Sequence, residues 1–306
     1  MALRGEPRWP FALAALALIW GTSYLLIKIG LEALSPSMVA FGRVAIGAAT
    51  LLAIVWVGRT PLPRGPRVWL HLAVAASLIS TPFLLFGYAE QHLASALVGL
   101  LSGASPLVTA VIVFLAFSDE RVTAIGVCGL VLGFLGVLTT LGAWTGFVGA
   151  PPGALLACLG AVACYGTFFP YTRRFLSQRA EPPVALAAGQ MICATILLTP
   201  TLLLPAAPTG PMTARIVLAM LLLGAFGSGI CYILNLFVTA AAGATTASMV
   251  SYLIPVVATI AGVLVLDERI TWNQPVGGVV VLAGVALSQF GKANRRLRRS
   301  QCVNST

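Results

Sequence analysis

Apolar runs separated by short polar breaks cover almost the whole chain. They lie at roughly 11–29, 38–57, 70–88, 94–117, 122–141, 153–171, 184–204, 214–236, 244–266 and 272–290. Each run is about 18 to 24 residues long, enough to cross a ~30 Å hydrocarbon core as a helix. They do not alternate with period two, which argues against a membrane barrel. The breaks are rich in Pro or Gly: Leu34-Ser35-Pro36, Pro61 to Pro66, Pro151-Pro152, Pro182-Pro183 and Pro205 to Pro211. None has room for a folded extramembrane domain. The pattern predicts an all-α integral membrane protein with ten transmembrane helices.

The pattern also repeats. Ser95 to Leu141 is an apolar run broken by Asp119-Glu120-Arg121-Val122-Thr123 and followed by Gly126, Gly129, Gly133 and Gly136. Ala247 to Phe290 is an apolar run broken by Asp267-Glu268-Arg269-Ile270-Thr271 and followed by Gly277 and Gly284. The offset of 148 residues at the box also holds for Gly129/Gly277 and Gly136/Gly284; Pro106 and Pro255, upstream of the boxes, are 149 apart. Two related halves of five spans each follow, residues 11–141 and 153–290, with a basic tail at 291–306. Other positions pair as well. Trp20-Gly21-Thr22 matches Tyr165-Gly166-Thr167, Pro36 matches Pro183, and Gly42-Arg43 matches Gly189-Gln190.

Composition strengthens this reading. The chain is 59% hydrophobic and 8% charged, whereas a soluble domain carries about 25% charged residues. The formal net charge of +10 sits between and after the apolar runs, where it serves topology and anionic lipid head groups rather than nucleic acid. With the N-terminus inside, inner segments hold fourteen Lys and Arg and outer segments three, so both ends are expected in the cytoplasm. Five spans per half then invert the second half against the first, which puts Glu120 at the inner face and Glu268 at the outer. Arg4 and Arg8 before the first run imitate a signal peptide, here read as a retained first helix. The glycines of 126–136 allow close helix packing, within the chain or across a dimer.

Trp20-Gly21-Thr22-Ser23-Tyr24, Lys28, Pro36, Arg43, Pro106 and the two Asp-Glu boxes, with Pro255-Val256-Val257 and the last-span glycines, resemble the drug/metabolite transporter superfamily. The chain is similar to a pair of EamA domains over about residues 11 to 290. That resemblance implies a secondary transporter with a central cavity lined mainly by spans one to four and six to nine, with spans five and ten peripheral. Members export amino acids, metabolites or drugs; relatives carry nucleotide sugars or triose phosphates. The chain departs from the common first-helix pattern in having Ser23 where Asn is frequent.

Several residues are candidates for cavity chemistry. A charge within a span is costly and marks a functional hypothesis, so Arg43 either holds a substrate carboxylate or snorkels. Lys28, nearer the boundary, poses the same pair of readings. Trp20, Tyr24, Tyr88, Tyr165, Phe168 and Tyr232 are candidate aromatic walls, or packing residues. Gln190 and Asn235 are amides inside spans that require partners, either substrate or a neighbouring helix. Pro106 and Pro255 free the carbonyls of Ser102 and Ser251, a serine in each half; these four residues form candidate hinges, or kinks satisfied locally. Glu90, two residues from His92, is the candidate for proton coupling. All eight carboxylates fall in loops or at span edges.

Five of the six cysteines lie in apolar runs without a CxxC pair, and the two histidines lack metal spacing. No nucleotide-binding loop or G-x-S-x-G motif occurs. The expectation is a transporter without cofactor or metal, whose partners are the lipid bilayer and a small-molecule substrate, as a monomer or homodimer. Two rivals are a carrier of an anionic substrate such as a sugar phosphate or nucleotide sugar, and a multi-span membrane enzyme.

Overall fold

The computed structural model describes residues 8–90, 92, 101–116, 123–140, 143, 151–203, 210–254, 256–257, 260, 272–273 and 275–288. The side chains of Tyr24, Lys28 and Glu90 lie outside that description, as do Pro255, residues 117–122, residues 261–271 and the basic tail.

The polar breaks start helices where helix-end chemistry directs. Helix α1 (Trp9–Gly30) has Pro10 in its first turn. Helix α2 (Pro36–Val57) begins on Ser35, whose hydroxyl accepts from the Met38 N–H at 3.3 Å, with Pro36 at the first helical position. Helices α3 (Pro66–Glu90), α4 (Ser105–Ala116), α5 (Ala124–Thr140), α6 (Pro152–Phe175) and α7 (Pro183–Leu198, extended by a 3₁₀ turn at Thr199–Leu203) follow. Prolines again open α6 and α7. Helix α8 (Ala214–Ala242) starts on Thr213, which accepts from the Ile216 N–H. It widens into a π-helix at Leu223–Ile230 before resuming α geometry. Helices α9 (Ala244–Ile254) and α10 (Pro275–Ser288) complete the described segments.

Six helices, α1, α2, α3, α6, α7 (with its 3₁₀ extension) and α8, are long and apolar enough to cross a membrane; α4, α5, α9 and α10 are shorter apolar helices among the described residues. The 22 residues of α1 span about 33 Å at 1.5 Å per residue. Large apolar side chains such as Phe11, Trp56, Phe114 and Leu203 point outward, largely exposed. Such a surface has no place in water, but hydrocarbon is as apolar as those side chains.

The bundle centre is built from α1, α2, α3, α6, α7 and α8. Ring contacts set the direction of α3 against α6: Phe86 meets Tyr165 and His71 meets Phe175, so the two run antiparallel. Helix α1 runs antiparallel to α8 in the same way, with Gly30 near Met220 and Trp20 near Tyr232. The glycines of α5 pack on α10 within the chain. A Cβ on Gly129 would stand 2.7 Å from the Gly284 carbonyl oxygen, and one on Gly136 would stand 2.9 Å from that of Gly277. Absence of side chains there lets the two backbones touch. Asn273, just before α10, donates from Nδ2 to the Thr139 and Thr140 carbonyls at the end of α5.

Candidate functional site

A cavity of about 170 Å³ lies between α1, α2, α3, α6, α8 and α9, with Ser102 at one wall. It reaches Leu31, Pro36 and Gly87, so it extends to the bundle end where α1 finishes, α2 begins and α3 finishes. The opposite end is tied shut. There Arg173, in the last turn of α6, donates to the carbonyls of Thr239 and Ala240 near the end of α8. His71 shares a 2.7 Å hydrogen bond with the Tyr171 hydroxyl and stacks on Phe175, with ring centroids 4.6 Å apart.

Of the residues singled out by sequence, Trp20, Arg43, Ser102, Tyr165, Phe168, Tyr232 and Ser251 line this cavity. Trp20, Tyr232 and Phe168 form a chain of edge-on ring contacts, with centroids 5.8 and 6.1 Å apart. Edge-on packing fixes the ring planes and leaves a rigid apolar wall. Trp20 is held further by its Nε1–H, which donates to the Gly227 carbonyl at 2.9 Å.

That carbonyl is available because of the π-helix. Its i to i+5 pattern widens the turn and disturbs the regular backbone ladder, a feature frequent at functional sites. Three glycines, Gly224, Gly227 and Gly229, fall in the segment, which packs on α2. Its Ser228 Oγ accepts from Arg43 Nε at 3.0 Å. A Cβ on Gly227 would come within 2.9 Å of Ser23 Oγ, so glycine keeps this corner open. On its other side the Arg43 guanidinium lies 4.3 Å from the centre of the Phe83 ring, a cation–π arrangement. Arg43 is only 7% exposed, so it is a buried cation of the bundle interior rather than a snorkelling side chain.

Other candidates stand elsewhere. Tyr88 is half exposed, its ring 4.7 Å from that of His92. Gln190 and Asn235 are fully buried, and neither lines the cavity. Asn235 Oδ1 accepts from the Thr239 hydroxyl at 3.1 Å. The Gln190 amide has no partner among the described residues. Pro106 stands in the first turn of α4, where a missing N–H costs little, and the Ser105 hydroxyl donates to the freed Ser102 carbonyl at 2.7 Å. The helical path of span four breaks just before Pro106, and the freed carbonyl is satisfied locally by the neighbouring serine. Pro255 and the side chains of Tyr24 and Glu90 are outside the described residues.

Sequence reasoning passed over Phe83, Phe86, Phe169 and the 223–230 segment. The signal for the last is its glycine density within an otherwise apolar span. Phe83 and Phe86 look like any lipid-facing aromatic until α3 is oriented against α6.

Residues 7–142 and 152–290 each match the EamA-like transporter family. The transporter YoaV of Bacillus subtilis is 24% identical over 92% of this chain and 97% of its own length. A chloroplastic WAT1-related protein of Arabidopsis thaliana is 27% identical over 90% of this chain and 68% of its own. The inner membrane transporter YedA of Escherichia coli is 25% identical over 92% of this chain and 90% of its own. A solved crystal structure superposes with a TM-score of 0.79 over 96% of this chain and 99% of the other at 21% identity, a likeness of fold. The chain belongs to the EamA-like transporter family and is a multi-span membrane protein.

Proposed function

We propose that the protein is a secondary transporter of the drug/metabolite type that exports a small amphiphilic metabolite, amino acid or drug across the cytoplasmic membrane by alternating access. The observation that carries this is the cavity itself. It lies inside an apolar bundle, mixes aromatic walls with Arg43 and serine hydroxyls, extends to one end and is tied shut at the other. That mixture suits a molecule with an apolar body and a polar group.

The two-half architecture supports the mechanism. Trp20 meets Tyr232 across α1 and α8 as Tyr165 meets Phe86 across α6 and α3. Gly129 meets Gly284 as Gly136 meets Gly277. Such reciprocal pairs are what two halves related by an in-plane two-fold axis produce. Halves of that kind exchange conformations, so a site open to one side closes there and opens to the other. The fourteen-to-three charge asymmetry supports cytoplasmic termini, an orientation in which the cavity faces outward and the Arg173 end faces the cytoplasm. The described side chains lining the cavity include no carboxylate, so flux follows the substrate gradient unless Glu90 acts as a coupling site.

The test compares extracellular and cytosolic small molecules in cells with and without the protein. The expected result is a small amphiphilic compound that is depleted outside and enriched inside when the protein is missing. Unchanged distribution of every measured compound contradicts export.

A further inference from the structure

Arg43 carries an unused recognition capacity. A guanidinium has five N–H donors in a planar fork. One, on Nε, is taken by Ser228. The terminal nitrogens find no acceptor among the described residues, while the face of Phe83 and the Gly227 backbone lie beside the group. A hydroxyl and a ring face stabilise the cation without neutralising it. The described carboxylates are committed elsewhere, Glu32 to Arg215 at 3.8 Å and Glu181 to Arg179 at 3.6 Å. The described cavity therefore holds one buried positive charge and no counter-ion. An unpaired buried ion costs several kcal/mol, and breaking an existing pair leaves the same penalty. An anion entering the cavity recovers that cost.

From this, and resting on the transporter reading above, we propose that the site selects a monoanionic amphipathic carboxylate. Its carboxylate takes the free edge of the Arg43 fork, and its apolar body lies against Trp20, Phe168 and Tyr232. The one cation among the described lining side chains balances one negative charge. A phosphate monoester brings about two at neutral pH, since its second pKa is near 6, and would leave one unpaired in an apolar chamber. Guanidinium geometry matches a carboxylate in two parallel hydrogen bonds. Size agrees: a dry cavity of about 150 Å³ holds a benzene ring, and this one measures about 170 Å³ with an open end. Aromatic walls also attract cations, but here a fixed cation already occupies the Phe83 face and repels a second.

The experiment measures equilibrium binding by calorimetry to the full-length protein in lipid nanodiscs, with empty nanodiscs as the blank. The probes share one body and differ in charge: 3-phenylpropionate, 3-phenylpropan-1-ol and 3-phenylpropylamine. The expected result is that the carboxylate binds at least ten-fold tighter than the alcohol and the amine. In Arg43→Gln that preference disappears; Arg43→Lys, which keeps the charge without the fork, retains part of it. The wild-type ranking decides even where Arg43→Gln does not fold. An alcohol or amine that binds as tightly as the carboxylate overturns the proposal, as does failure of all three to bind, or full preference surviving in Arg43→Gln. Each of those results leaves the transporter reading to the metabolite comparison, which does not depend on substrate charge.

Discussion

Arg43 and Gln190, which the sequence repeat pairs, have different surroundings. Arg43 is gripped at its Nε by Ser228 and at its face by Phe83, and it lines the cavity. Arg179 pairs with Glu181 in partly exposed surroundings, where an ion pair contributes about 0–1 kcal/mol. Arg43→Ala is therefore expected to lower transport at least ten-fold at equal protein level, and Arg179→Ala to leave it within two-fold; equal transport by both variants contradicts a cavity role for Arg43. Gln190 buries an amide whose two polar atoms have no partner among the described residues, and an unsatisfied buried polar group costs about 1–3 kcal/mol. Gln190→Leu is expected to raise the unfolding temperature in nanodiscs and leave transport unchanged. A lower temperature would show that the amide is doing structural work. Arg43 is legible in the sequence because a charge amid apolar residues stands out. Its partners are not, since Ser228 lies 185 positions away and only the folded bundle joins them.

At the scale of elements, apolar run length and proline position announce α1, α2, α3, α6, α7 and α8, because spanning requires about 20 apolar residues and proline suits a helix start. The π-helix is not announced, since nothing in hydrophobic patterning separates an i to i+5 turn from its neighbours. The glycine pattern reads correctly as a packing face, but its partner becomes clear only when α10 is seen against α5. Two adjacent glycines of α10 give a controlled test. A Cβ on Gly277 would meet Thr140 and stand 2.7 Å from the Gly136 carbonyl oxygen, whereas one on Gly278 meets Val256 at an ordinary 3.8 Å. Backbone cannot yield as a side chain tip does, and overpacking costs roughly 1–3 kcal/mol. Gly277→Ala is expected to lower the unfolding temperature by several degrees and Gly278→Ala to change it little. Equal effects contradict a backbone-to-backbone seam.

For the whole molecule, membrane residence follows from composition, since a chain with 8% charged residues cannot clothe itself for water; the family follows from the match of both halves to EamA-like transporters. The two acidic boxes carry the topological claim. The proposed five spans per half would put Glu120 and Glu268 on opposite faces. Single cysteines at these positions, in a background free of native cysteines, are expected to react with an impermeant thiol reagent from opposite sides. Labelling of both from one side contradicts the inversion.

Alternating access through the Arg43 cavity is tested most directly at Ser251, a small residue of the second half that lines the cavity wall. Ser251→Cys, in the same cysteine-free background, is exposed to an impermeant thiol reagent in right-side-out and in inside-out vesicles. The proposed outward orientation, with the Arg173 end tied to α8, predicts reaction from both sides, with the outer side faster. Reaction from one side alone, however long the exposure, would mean that the cavity never changes sides and would contradict a transporter that works by alternating access.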